Sequence, residues 1–211
     1  MINKLRKTIK KDIWHDLVYR YTVCVAWMKL GENKKAIKLI PEIVKDYCKL
    51  LGIKPEEIVG RNSDDLWEMI SISNETNEDL KHLGDSLEVS AILENKFNRF
   101  SIFRVQALEF YNLCGAYASS IRVGQDLVDE FLDRRDFIGA KMIMVESVIP
   151  VAKQGNMLDK MISIKSHYAV VLAYCKEFNE SDAEFKKLEI EHQKKLVTEL
   201  KLHSLVTPFN A

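Results

Sequence analysis

Residues 157–195 read MLDKMISIKSHYAVVLAYCKEFNESDAEFKKLEIEHQKK, and this stretch decides the fold class. Apolar residues recur at steps of three and four on either side of a short break, the spacing of one helix face. The stretch therefore reads as two helices joined by a turn, with Ala183 near the start of the second. Tyr174 stands nine residues before Ala183, and the same pairing recurs as Trp27 with Ala36 and Phe131 with Ala140. In each pair the aromatic falls late in one helix and the alanine on the next. A small side chain there lets two antiparallel helices approach closely, and the aromatic fills the space beside it. The recurrence points to a helical repeat rather than to a reaction.

Composition agrees with a helical, soluble chain. Of 211 residues, 47% are hydrophobic and 29% charged, ordinary values for a globular protein with a sizeable core. Glycine (8) and proline (4) are scarce, which leaves few tight turns and favours long helices. No region keeps a period-two alternation, so no sheet is expected. The 31 cations balance 31 anions, so no global field recommends nucleic acid or an anionic membrane. The balance is uneven along the chain: residues 1–60 carry 13 Lys/Arg against 7 Asp/Glu, and residues 61–100 carry 4 against 9. Solvated helix faces produce such blocks. Cys24, Cys48, Cys114 and Cys175 lie in apolar helical stretches without CxxC or Cys/His spacing, which reads as reduced thiols. There is no signal-peptide pattern and no apolar run of about 20 residues, so the expected setting is cytoplasmic.

Along the chain, Trp14, Leu17, Tyr21, Cys24 and Met28 form the stripe of a first helix. Gly31-Glu32-Asn33 is a stop-and-restart signal, with Asn33 able to cap the next helix. That helix runs to about Leu51, with Ala36, Ile40, Ile43, Tyr47 and Leu50 inward and a kink expected at Pro41. Residues 56–100 are less regular, with helix starts near Ser63 and Asn77 and a stripe of Leu80, Leu83, Leu87 and Ala91. Ser101–Ser120 reads as a central, well-covered helix. Residues 123–132 and 137–152 form a second hairpin, whose last turn Pro150 should distort. The last helix of the third hairpin is expected to reach about Leu205. The whole reads as all-α, helical hairpins stacked as an α-solenoid of about 8–9 helices. Residues 1–100 hold one repeat-like hairpin (12–52) and an irregular spacer, residues 101–211 hold the C-terminal repeats, and the two form one continuous domain.

The three aromatic-to-alanine pairs, with Gly31 between the first two helices, resemble the tetratricopeptide repeat family and its divergent relatives in bacterial regulators, whose units stack into a superhelix. Arg135 and Phe178 occupy the place of that glycine in the other two hairpins, and the family's closing proline has no counterpart. The resemblance covers about 120 residues and implies that each first helix lines a concave surface. It carries the groove positions to Arg122, Gln125 and Asp129 in the second hairpin and to Lys165, Tyr168, Leu172 and Cys175 in the third. In the first they fall on the apolar set Val18, Tyr21, Val25 and Met28. The family's Lys/Asn carboxylate clamp is missing around Lys165.

Signatures of catalysis, metals and cofactors are not found in the sequence. Glu189-x-x-His192 is half of a di-iron ligand set whose other half is not evident, and His192 continues the stripe of Phe185, Leu188 and Leu196. His15, His82, His167 and His203 are scattered, and phosphate loops, nucleophile elbows and HExxH are absent. Lys4, Arg6, Lys7, Lys10 and Lys11 alternate with Leu5 and Ile9 as a basic amphipathic segment. Such a segment could touch nucleic acid, an anionic membrane or the acidic 61–100 block of another copy. The expectation is a non-enzymatic repeat protein that binds a protein or peptide, as a sensor or adaptor in a regulatory pathway. Arg122, Gln125, Asp129, Lys165 and Tyr168 are its candidate binding residues. Two other readings stand beside it: a helical-bundle enzyme or ligand-binding protein with a site between helices, and a regulator contacting nucleic acid through residues 1–11.

Overall fold

In the computed structural model the backbone is described for residues 2–59, 61, 63–70, 77–95 and 102–190, and the side chains for the same residues except 2–11, 63, 95 and 158. All regular structure among them is helical. The elements are α1 (Ile2–Lys29), α2 (Asn33–Leu51), a 3-10 turn (Pro55–Glu57), α3 (Ser63–Met69), α4 (Asn77–Asn95), α5 (Ile102–Leu113), α6 (Tyr117–Asp133), α7 (Phe137–Ile143), α8 (Ile149–Gln154) and α9 (Leu158–Tyr174). A further helix, α10, occupies 178–190. The expected course to Leu205, and with it His192 and His203, lies outside the described residues. No helix among those described is long and apolar enough to cross a membrane.

The helices are ended by one recurring device. Six described residues have positive φ: Gly31, Gly52, Gly115, Arg135, Asn156 and Lys176. At every one, the residue's own N–H donates to the carbonyl three positions back, and the next N–H donates to the carbonyl five positions back, as in Glu32 to Trp27 and Glu177 to Leu172. This is the Schellman arrangement, which satisfies carbonyls that the helix end leaves without partners. The left-handed residues are 21 apart at 31 and 52, then 20 to 21 apart from 115 through 135 and 156 to 176. A hairpin of two helices therefore recurs every 41 residues in the second half of the chain, as 115 to 156 and 135 to 176.

At four of the six turns a small buried residue sits five positions beyond the left-handed residue, in the first turn of the next helix: Ala36, Ser120, Ala140 and Ser181; Glu57 and Met161 hold that place after Gly52 and Asn156. Across the hairpins a short side chain reaches the opposing backbone, Cys24 Sγ to the Ala36 carbonyl at 3.6 Å and Ser181 Oγ to the Ala169 carbonyl at 2.8 Å. The helices approach too closely there for anything larger. Trp27 with Ala36 and Phe131 with Ala140 are thus at equivalent places, and a Cβ on Gly139 would come within 3.0 Å of the Phe131 ring.

The third pair falls elsewhere than the sequence suggested. Ala183 is exposed and Tyr174 is 52% exposed, stacked on Phe137 instead. The equivalent residues are Leu172 and Ser181, both buried, and the turn residue is Lys176 rather than Phe178. The register was hidden because lysine, not glycine, holds the left-handed position.

The expected cap Asn33 is the first residue of α2, and Glu32 takes the capping position. Pro41 lies inside α2, which continues through it. Pro150 opens α8 after a π-turn at Met144–Val148. Proline has no N–H for the Glu146 carbonyl and its ring crowds that group, so the turn before it widens.

The chain divides within α6 into two compact units, Met1–Val123 and Gly124–Ala211. In the first, α4 packs against α1, α2 and α5, while α1 pairs with α2 and α3 rests on α5. Leu80, Leu83, Leu87, Val89, Ala91 and Leu93 of α4 are all buried, and the face between Ala91 and Val89 that carries Lys81, Asp85 and Glu88 is its polar side. Its buried hydroxyls turn inward: Ser86 donates to the His82 carbonyl at 2.8 Å and Ser90 to that of Ser86 at 2.9 Å. Such back-bonding lets serine act as a small residue without an unsatisfied donor. Arg20 joins α1 to α2 through Asp46 at 2.7 Å. In the second unit α9 packs on α7 and α8, and Lys141 meets Glu177 at 2.6 Å.

Two stability measurements check these arguments. A left-handed conformation costs an L-residue about 1–2 kcal/mol, against roughly 0.5–1 kcal/mol of extra chain entropy for glycine. Lys176→Gly should therefore raise the unfolding free energy in urea by about 0.5 kcal/mol, and Gly31→Ala, where no neighbour crowds a Cβ, should lower it by about 1 kcal/mol. If Lys176→Gly destabilises, the turn is not strained. At Gly84 a Cβ would stand 3.0 Å from the buried Tyr111 ring. Alanine in a helix interior normally gains about 1 kcal/mol over glycine, but overpacking costs about 1–3 kcal/mol. Gly84→Ala should be destabilising, and should become stabilising in a Tyr111→Leu background.

Candidate functional site

The first unit carries a polar cluster built on one face of α4. Asp85 and Glu88 are three positions apart and so lie side by side on the helix surface. Tyr111, fully buried on α5, aims its hydroxyl at both: 2.7 Å to Asp85 Oδ1 and 3.0 Å to Glu88 Oε2. Arg122 of α6 closes on Glu88 with a two-pronged contact of 2.5 and 2.7 Å, the geometry that guanidinium and carboxylate planes favour. Lys81 reaches Asp85 Oδ2 at 2.8 Å. Every oxygen of the two carboxylates is therefore engaged. Burial, reinforced by Asp85 and Glu88, pushes the Tyr111 hydroxyl far above the ordinary tyrosine range, and the same causes act on Tyr21. Both remain neutral donors at physiological pH.

Beside this cluster runs a groove of about 440 Å³. Tyr21, Val25 and Met28 of α1 form one wall, Val89 and Ile92 of α4 the other, and Lys29, Asp85, Glu88 and Arg122 stand at its edges. The structure thus brings together Arg122 and three of the four apolar positions expected on α1; Val18 does not line the groove. Lys29, in the last turn of α1, is exposed and forms no ion pair among the described residues.

Gln125, Asp129, Lys165 and Tyr168 belong to the second unit. Asp129 on α6 pairs with His167 on α9 at 3.1 Å. Gln125 and Lys165 are half-buried. Tyr168 is half-buried, and burial raises its hydroxyl pKa while Lys141 opposes and Glu177 adds to the shift. Leu172 is buried as a packing residue, and Cys175 donates to the Phe137 carbonyl at 3.3 Å. All four cysteines are free thiols. Burial lifts the pKa of Cys24 to about 11 and that of Cys48 to about 12, which makes them inert packing groups.

Sequence reasoning missed Asp85, Glu88 and Tyr111. The available signal was an acid pair three apart, interleaved with the buried leucines of α4 and preceded by Gly84. The backbone of residues 4–11 lies in α1, whereas its basic side chains fall outside the described ones. Among the described residues no group of three or more His, Cys, Asp or Glu is arranged to hold a metal ion. Comparison with family models, curated proteins and solved structures returns no match.

His82, on the same helix, lies between Trp14 (ring centroids 5.6 Å) and Tyr47 (6.0 Å, stacked). Burial lowers its pKa below 6.5 and outweighs the pull of Asp85, whose Oδ2 is 3.7 Å from Nδ1; Lys81 lowers it further, while Glu78 and Asp79 oppose. The folded state thus resists a proton that the unfolded chain accepts near its ordinary pKa. The stabilisation is complete above pH 6.5 and is lost as pH falls below that value toward the folded pKa. Urea midpoints measured from pH 7.5 to 5 should fall in the wild type and fall less in His82→Asn; equal slopes would remove His82 as the cause.

Proposed function

We propose that this chain is a non-catalytic helical repeat protein, similar to divergent tetratricopeptide repeats, that binds a protein or peptide in the groove between α1 and α4. The repeat reading rests on the recurring Schellman turns, their spacing of 20–21 residues and the small buried residue in the helix that follows. Such hairpins stack because none can bury its apolar face alone.

The observation that carries the binding reading is the groove itself. Its walls are apolar, its carboxylates are already engaged by Tyr111, Arg122 and Lys81, and Lys29 is the cation left for a partner. The complementary ligand is an amphipathic helical segment with apolar residues three and four apart and an acidic residue facing Lys29.

A library of displayed peptides selected on the full chain tests this. Enriched sequences should share apolar residues at helical spacing with an acidic residue. Their affinity should drop at least about tenfold in Val25→Glu, and Lys29→Glu should shift the selection toward basic residues. The absence of a shared pattern, or undiminished binding to a folded Val25→Glu variant, would sink the groove assignment.

A further inference from the structure

A second cavity of about 460 Å³ opens in the first unit between α2, the 3-10 turn and the C-terminal half of α4, within the roughly 300–1,000 Å³ range of small-ligand sites. Its wall is apolar: Ile40, Val44, Pro55, Ile58 and Phe103. Its polar groups all have one character. Pro41, in the lining, has no N–H, so the carbonyl of Ile37, also in the lining, lacks its helical donor. Ser90 spends its only hydroxyl proton on the Ser86 carbonyl and offers the cavity lone pairs alone. Glu94 brings a carboxylate and has no ion-pair partner among the described residues.

Glu94 also stands in the last turn of α4, which carries no basic residue. Carbonyls at a helix C-terminus carry partial negative charge, so an acid there is unfavourable by itself and favours a cation beside it. Among the described residues, the groups available to a ligand are thus an apolar wall, two neutral acceptors and one anion, with no donor among them. Nothing in the peptide groove shares these residues.

We propose that this cavity binds a small apolar molecule carrying one protonated amine, with the amine at Glu94 and the apolar body between Val44, Ile58 and Phe103. The amine supplies up to three donors, matching the acceptors available. An alcohol supplies one donor, and a carboxylate adds repulsion to Glu94. The site selects by charge sign as well as by fit.

Titration calorimetry of the full chain at pH 7 with 4-phenylbutylamine, 4-phenylbutanol and 4-phenylbutyrate tests the assignment, because the three differ only at the polar end. The amine should bind about tenfold more tightly than the alcohol, and the carboxylate least. Glu94→Gln should reduce affinity for the amine by about tenfold and change that for the alcohol by less than about twofold. Val44→Trp, folded by circular dichroism, should abolish binding of the amine and the alcohol by filling the cavity. The proposal is overturned if the carboxylate binds as well as the amine. It is also overturned if Glu94→Gln leaves amine binding unchanged, or if no amine binds at millimolar concentration. A peptide with a free N-terminal phenylalanine, run beside its acetylated form, separates chain termini from small amines; binding of that peptide in place of the free amine overturns the proposal too.

Discussion

The Tyr111 ring lies against Gly84, and the first unit depends on that contact. A side chain at Gly84 would meet the ring at 3.0 Å, so α5 can sit on α4 only because glycine leaves the space. The same approach brings the Tyr111 hydroxyl to Asp85 and Glu88. Those carboxylates then hold Lys81 and Arg122. One steric allowance thus permits the helix packing and places the polar cluster at the edge of the α1/α4 groove. A half-buried carboxylate pair without partners would cost several kcal/mol, and here each oxygen has one.

The turns show how far local chemistry depends on surrounding packing. The left-handed geometry is easy for Gly31, Gly52 and Gly115 and strained for Arg135, Asn156 and Lys176. At Arg135 and Lys176 the strain persists because the small residue five positions on, Ala140 or Ser181, is already seated against the preceding helix. Packing overrides residue preference at these two turns. Pro150 shows the converse: the chain accommodates the missing donor by widening one turn to π geometry while Met144 and Val148 stay buried.

α4 gives its two sides to two different surfaces. Asp85, Glu88, Val89 and Ile92 face the groove against α1, and Ser90 and Glu94 face the cavity against α2. A helix buried by neighbours on several sides presents polar residues only in the gaps between them. In one gap the acids are neutralised by the protein's own cations and tyrosine. In the other Glu94 has no such partner among the described residues. The difference sets the closed polar network of the groove apart from the cavity proposed above to take an amine.

The amino-acid sequence by itself determined that the chain is helical. Period-3.6 stripes such as Leu17 and Cys24, or Leu80, Leu83 and Leu87, are buried as their spacing requires, and hairpins at Gly31 and near Arg135 follow from short breaks between such stripes. Two of the three aromatic-to-alanine pairs were legible for the same reason. The third was not, because Lys176 gives no turn signal and the small residue is Ser181. Of the candidate binding residues, Arg122 joins the apolar face of α1 at the groove, while Gln125, Asp129, Lys165 and Tyr168 belong to the other unit. Only the tertiary structure decided that α4 would be the covered centre of its unit and that Asp85, Glu88 and Tyr111 would meet. Periodicity reports which side of a helix is buried, whereas the partner that buries it, 23 to 34 positions away for Tyr111 and Arg122, is set by how closely the helices can approach.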